Sequence, residues 1–182
     1  MATQSAENDV NVLHNYSTAA QSSITAATRT YLTGSMVTLP SPGLQIGSRI
    51  RWTFDVTKTG AGTLAAASWI DIAFGINGTT GDTARLTFPK PVCSGVIDEG
   101  NVIVECLIRG PLTASGIVVG THTLSHNLAA TGLANVPCVT SVIVSSAFDV
   151  TFANCTRVGL CMTSASLEVI TIQCMMVEIW NI

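Results

Sequence analysis

The stretch SRIRWTFDVTKTGAG, residues 48–62, alternates strictly from Arg49 to Thr57. Ile50, Trp52, Phe54 and Val56 fall on one side, and Arg49, Arg51, Thr53, Asp55 and Thr57 on the other. Successive side chains of an extended chain point to opposite faces, so this pattern makes a half-buried β-strand. A helix would scatter the same apolar residues around its circumference. The TGAG that follows is a turn.

The same signal recurs along the chain. SWIDIAFGI places Ile70, Ile72, Phe74 and Ile76 on one face, with Trp69 and Asp71 on the other. FGINGTTGDTARLTF, residues 74–88, puts Asn77-Gly78 between two strand pieces. That pair suits a tight turn, but the distance to the next apolar stretch predicts a longer loop. PKP then ends pairing, because proline cannot donate to a ladder. NVIVECLIRG and GIVVGTHTLSHNL read as further strands, and VPCVTSVIVSSAFDVTFANC as two, bent near Ser145-Ser146. The final SASLEVITIQCMMVEIWNI is almost continuously apolar, which predicts burial on both faces, one on the core and one on a partner or second layer. Nowhere does a three-and-four spacing dominate. The pattern predicts an all-β fold: an antiparallel two-sheet β-sandwich of eight to ten strands, jelly-roll-like, with an immunoglobulin-like sandwich or closed barrel as alternatives. Residues 1–22 are small and polar and read as a flexible or docking N-terminal arm, leaving 23–182 as a single sandwich domain.

Composition bears on partners. A chain of 19.0 kDa scales to a folded surface of roughly 8,400 Å², enough burial to need no staples. Charged residues make up 10% and hydrophobic ones 47%, against about 25% charged in an ordinary domain. Low charge with abundant apolar residues predicts an oligomer that covers part of its own surface. Net charge is −3, and Lys58 and Lys90 are the only lysines. Nucleic-acid binding through phosphate neutralisation is not expected. The apolar stretches are too short for a membrane-spanning helix, and the N-terminus has neither the basic start nor the apolar run of a secretion signal. Six cysteines occur at positions 93, 106, 138, 155, 161 and 174, with no C-x-x-C. They read as reduced thiols, several of them in the core.

Reactive groups are sparse. His122 and His126 are spaced as zinc-protease ligands are on a helix, but on a strand they stand about 13 Å apart and cannot share a metal. No G-x-S-x-G and no phosphate loop is present. Asp98-Glu99 would diverge in a strand, and Asp98, Glu99 and Asn101 are a thin set for calcium. The glycosylation triplets at Asn15, Asn77 and Asn154 are ordinary in a Ser/Thr-rich chain. The expectation is a protein that is not an enzyme, with no cofactor and no metal. Trp52 belongs to a core face. Trp69 and Trp180 are the candidate interface residues, since exposed aromatics often anchor partners.

The phrases TKTGAGT, FGINGTTGDTARLTF and LSHNLAATG, within residues 48–137, resemble stretches of tailed-bacteriophage virion structural proteins. The resemblance implies a jelly-roll-like sandwich on the outside of a capsid or tail. It points to a capsid decoration (cement) protein, a homotrimer bound to the major capsid protein on the outer surface of the virion and made in the host cytoplasm. The alternative is a tail or head fibre tip that binds a host receptor. It carries over no catalytic residue.

Overall fold

The structure is a computed structural model that describes residues 12–24, 28–60, 66–164 and 168–180. In chain order the strands are β1 (Val12–Ser17), β2 (Gln21–Ile24), β3 (Thr30–Tyr31), β4 (Val37–Thr38), β5 (Arg49–Gly60), β6 (Ala66–Gly75), β7 (Ala84–Lys90), β8 (Asp98–Gly110), β9 (Ile117–His126), β10 (Cys138–Val144), β11 (Arg157–Met162) and β12 (Glu168–Trp180). They form two antiparallel sheets. The larger runs β1-β12-β5-β8-β9-β10, with β2 also on β12; the smaller runs β3-β11-β6-β7, with β4 also on β11. The chain is thus the all-β, jelly-roll-like sandwich that the alternation predicts. Its accessible surface is 8566 Å², close to the value expected from mass alone.

The core lies between the sheets. From the larger sheet come Ile50, Trp52, Phe54 and Val56 of β5 and, beside them on the same face, Val102, Val104, Cys106 and Ile108 of β8, all almost fully buried. The Trp52 indole N–H donates to the Ser35 carbonyl at 2.7 Å, so even this deeply buried ring has its polar atom satisfied. Leu86 and Phe88 of β7 press against β9 at Gly120, where an added Cβ would stand 2.8 and 2.9 Å from their tips. Absence of a side chain there is what lets the two sheets close.

The loop between β6 and β7 answers what the FGINGTTGDTARLTF stretch is for. It is longer than a two-residue turn, as its spacing predicts, and the Asp82 carboxylate closes it by accepting from the Asn77 and Gly78 backbone N–H groups. It folds over β11 so that the Gly78 carbonyl sits on Gly159, where a Cβ would collide with it. Beneath it the Arg29 guanidinium grips both oxygens of buried Asp71 and also donates to the carbonyls of Thr80 and Asp82. The roof covers Asp71 of β6 and Gly159 of β11, which lie in runs buried without a break from Ile70 to Phe74 and from Val158 to Met162.

Several sequence expectations need amending. Residues 148–155 do not form the second strand of a pair. Only Phe148 bridges, to Gly116, and the chain then turns around the Asp149 carboxylate, which accepts from Thr151 and Asn154. Asp149 captures these donors locally and takes the backbone out of the ladder. β11, with five consecutive buried residues of which one is a glycine, carries no alternation to read. β12 is not buried on both faces: Gln173 and Met176 of its outer face are exposed. Within the stretch read as an arm, residues 12–17 pair with β12, and β2, which spans the boundary at 22, pairs with β12 as well. Residues 1–11 lie outside the described residues.

Candidate functional site

The outer face of the larger sheet carries the polar half of the alternation. At one end a cleft of about 700 Å³ is lined by Asp55, Thr57, Glu99, Asn101, Asn127 and Gln173, among others. Strand register builds it. Cys174, Asp55, Asn101, Ser125 and Cys138 are successive cross-strand partners on β12, β5, β8, β9 and β10. One part of the row is tightly hydrogen-bonded: Asn101 Nδ2 donates to Asp55 Oδ1 at 2.8 Å, and the Cys174 thiol lies 3.2 Å from Asp55 Oδ2. Burial, and then the hydrogen bond to Asp55, push the Cys174 thiol up from its ordinary value. A bulge between Ile172 and Cys174 turns Gln173 onto this face, where it donates to Thr57 Oγ1 at 2.9 Å.

Behind the cleft two loops are clamped together. His126 and Asp98 meet at 2.6 Å with both side chains wholly buried, and the second ring nitrogen of His126 lies 2.6 Å from the Val136 carbonyl. Asp98 also accepts from the Glu99 and Leu133 N–H groups, while Gly132 N–H donates to Ser94 Oγ. The buried Lys58 ammonium reaches the carbonyls of Ser94 and Val96. So residues 94–99 and 126–137 form a braced end, yet that end holds Val96, Ile97 and Val136 at 46%, 64% and 49% exposure.

About six residues along β5, or roughly 20 Å at the usual strand rise, the same face carries a second cluster. Arg49 and Arg51 both pair with Glu105, and the Arg49 guanidinium lies 5.9 Å from the centre of the Trp180 ring. Trp180 is half-buried there, placed where a partner could reach it. Trp69 is not. It is 1% exposed and stands between the sheets against His122, so it cannot be the surface anchor the alternation of β6 suggested. A register shift in β6 between Ala66 and Ile70 breaks the alternation beside it, and a sequence gives no sign of such a shift.

The remaining candidates separate. His122 and His126 share the inner face of β9 but have different surroundings: aromatic rings for the first, a carboxylate and a carbonyl for the second. Asp98 turns inward while Glu99 and Asn101 turn out to the cleft, so they cannot converge on one cation. The amide nitrogens of Asn15, Asn77 and Asn154 are all engaged, with Met36 O, Asp82 and Asp149. The Asp98–His126 clamp and the polar row had no signal in the sequence beyond residue type, because the clamp joins residues 28 positions apart and the hydrogen-bonded neighbours of the row lie 13, 46 and 119 apart.

Chemically, the cleft offers two carboxylates, amides and hydroxyls, a set that hydrogen-bonds hydroxyl-rich or peptide ligands. Both His126 nitrogens are occupied away from it, so that ring is not positioned to take a proton from a bound molecule.

No protein-family model matches the chain, and no curated protein matches it. Among solved structures it is similar to peanut lectin with a nine-residue peptide, at 10% identity and a TM-score of 0.41, covering 95% of this chain and 98% of the lectin. It is also similar to lectin I from Ulex europaeus in complex with the methyl glycoside of α-L-fucose, at 10% identity and a TM-score of 0.37, with the same shares of the two chains covered. For lectin UEA-II complexed with galactose the values are 9% and 0.39, covering 96% and 100%.

Proposed function

We propose that this chain is a non-catalytic structural protein of a virion surface, a capsid decoration protein that docks as an oligomer on the major capsid protein of the assembled head. The observation that carries the reading is the braced end. Val96, Ile97 and Val136 are exposed on loops that a buried Asp98–His126 pair holds rigid. Apolar tips on a pre-ordered frame lose little entropy on docking. The stretches resembling tailed-phage virion proteins supply the setting, and the low charge fits a protein that covers surface with other subunits. Binding only to the assembled shell would stabilise it by mass action. The test is to add purified protein to heads that lack it. The wild type is expected to bind saturably and raise the temperature at which heads rupture; a Val96→Ser, Ile97→Ser, Val136→Ser variant is expected to do neither. Saturable binding by the triple variant would reject the reading.

A second reading, a fibre-tip module that takes a host receptor, is favoured by the cleft, since Asp55, Asn101 and Gln173 present the donors and acceptors that sugar hydroxyls use. Glycan-array binding by the wild type, lost in Asp55→Ala and Asn101→Ala, supports it. An array without signal and unchanged adsorption after antibody blocking count against it.

A further inference from the structure

A sheet edge presents unpaired backbone donors and acceptors, and folded proteins blunt it with bulges, prolines, charges or brevity. Most edges here are blunted. β1 shifts register between Leu13 and Asn15, and β2 has four residues. β7 carries Arg85, Pro89 and Lys90. β3 and β4 are two residues each. β10 has none of these protections among the described strands: it is seven residues, CVTSVIV, without charge or proline, in unbroken register with β9.

The ladder shows which of its groups face out. Just beyond the two ends of β10, Ser145 N–H donates to Val118 O and His126 N–H to Pro137 O. Antiparallel ladders alternate hydrogen-bonded and non-hydrogen-bonded pairs. Val139, Ser141 and Ile143 therefore turn their N–H and C=O groups to β9, and Cys138, Thr140, Val142 and Val144 turn theirs to the open edge. The side chains of these four are exposed on the outer face of the sheet. There Val144, Val119 and Leu107 make an apolar row across β10, β9 and β8, beside Val142 at 65% exposure.

We infer that β10 pairs with β10 of a second copy, antiparallel, about a two-fold axis at Ser141. This register sets Thr140 opposite Val142 and Cys138 opposite Val144, so each outward residue meets an outward residue, for about eight hydrogen bonds. No charged residue lies in the strand, so no like charges face each other across the axis. The apolar row of each copy, ending at Val144, then meets Cys138 at the end of the other copy's polar row, and the larger sheet runs through both. The contact is self-complementary and closed, so it stops at two copies instead of propagating. It rests on the strand edge alone and stands apart from the decoration and receptor readings. A ring of three would need β10 to meet a different edge of its neighbour, and mass separates the two.

The test is size exclusion with light scattering at tens of micromolar, together with three variants. The wild type is expected at twice the 19.0 kDa of the chain. Thr140→Pro removes an outward N–H without touching a bond to β9, and is expected to give a folded monomer. Thr140→Lys with Val142→Lys sets lysines against lysines and is expected to weaken dimerisation at least tenfold. Ser141→Cys in a Cys138→Ser background places two thiols across the axis at a Cα separation of about 4.5 Å, within disulfide range, and is expected to give a covalent dimer on mild oxidation. A monomeric or trimeric wild type, an unchanged mass for folded Thr140→Pro, or no covalent dimer from Ser141→Cys would overturn the inference.

Discussion

Trp69 stands edge-on to His122 across the sandwich, ring centroids 5.4 Å apart at an interplanar angle of 84°. Phe88 lies 5.5 Å away on the same imidazole, and neither ring nitrogen of His122 has a hydrogen-bond partner among the described residues. Burial without a polar partner disfavours the charged ring and pushes its pKa down to about 4.

That depression makes stability pH-dependent. The folded-state value lies below the unfolded one of about 6.5, so the fold keeps its full stability above pH 6.5 and loses it as pH falls towards 4, where the unfolded chain binds the proton first. The size is about 3 kcal/mol, from 1.36 kcal/mol per unit. Urea unfolding at pH 7.5 and pH 4 is expected to show a loss larger by about that amount in the wild type than in His122→Leu. Equal losses in the two proteins would contradict it.

The Asp98–His126 clamp is expected to matter for both stability and local order. Asp98→Ala leaves a buried imidazole and the N–H groups of Glu99 and Leu133 without their acceptor. The expected cost is about 3 kcal/mol, the low end for breaking a buried pair. Hydrogen exchange should quicken across 94–99 and 126–137 before it does in β5 or β8. A melting temperature within a degree of wild type would argue against the clamp.

Two glycines test how closely the layers approach. Gly159→Ala drives a Cβ into the Gly78 carbonyl, and Gly120→Ala drives one into the side-chain tips of Leu86 and Phe88. Overpacking of this kind costs about 1–3 kcal/mol. Gly159→Ala is expected to be the worse of the two, because backbone cannot rotate aside as side chains can. Chemical denaturation of both variants gives the ranking directly.

Thiol labelling at pH 8 should sort the six cysteines. Burial pushes the Cys155 and Cys161 thiols up to about 12 and raises that of Cys106 further, and Cys93 is buried as well. Iodoacetamide is expected to modify Cys138 first and Cys174 more slowly, with the other four reacting only after unfolding. Mass spectrometry of the native protein at short times reads this out. Early modification of Cys106 would show that the core opens.

Period-two alternation made the long strands legible, because the side-chain direction of an extended chain depends only on neighbouring residues. Arg49–Thr57, the β8 and β9 segments and the need for a long loop after Ile76 could all be read this way. So could the buried place of Trp52 and the two-layer body, since one apolar face per strand requires an opposing sheet. What lay beyond reach were the features set by partners distant in the chain. The inward turn of Trp69, the roof over Asp71 of β6 and Gly159 of β11, the Asp98–His126 clamp and the polar row from Cys174 to Cys138 depend on register shifts and on which strand lies beside which. A one-residue slip reverses every side chain that follows, so only the folded sheets decide which residues share a face and which edge is left open.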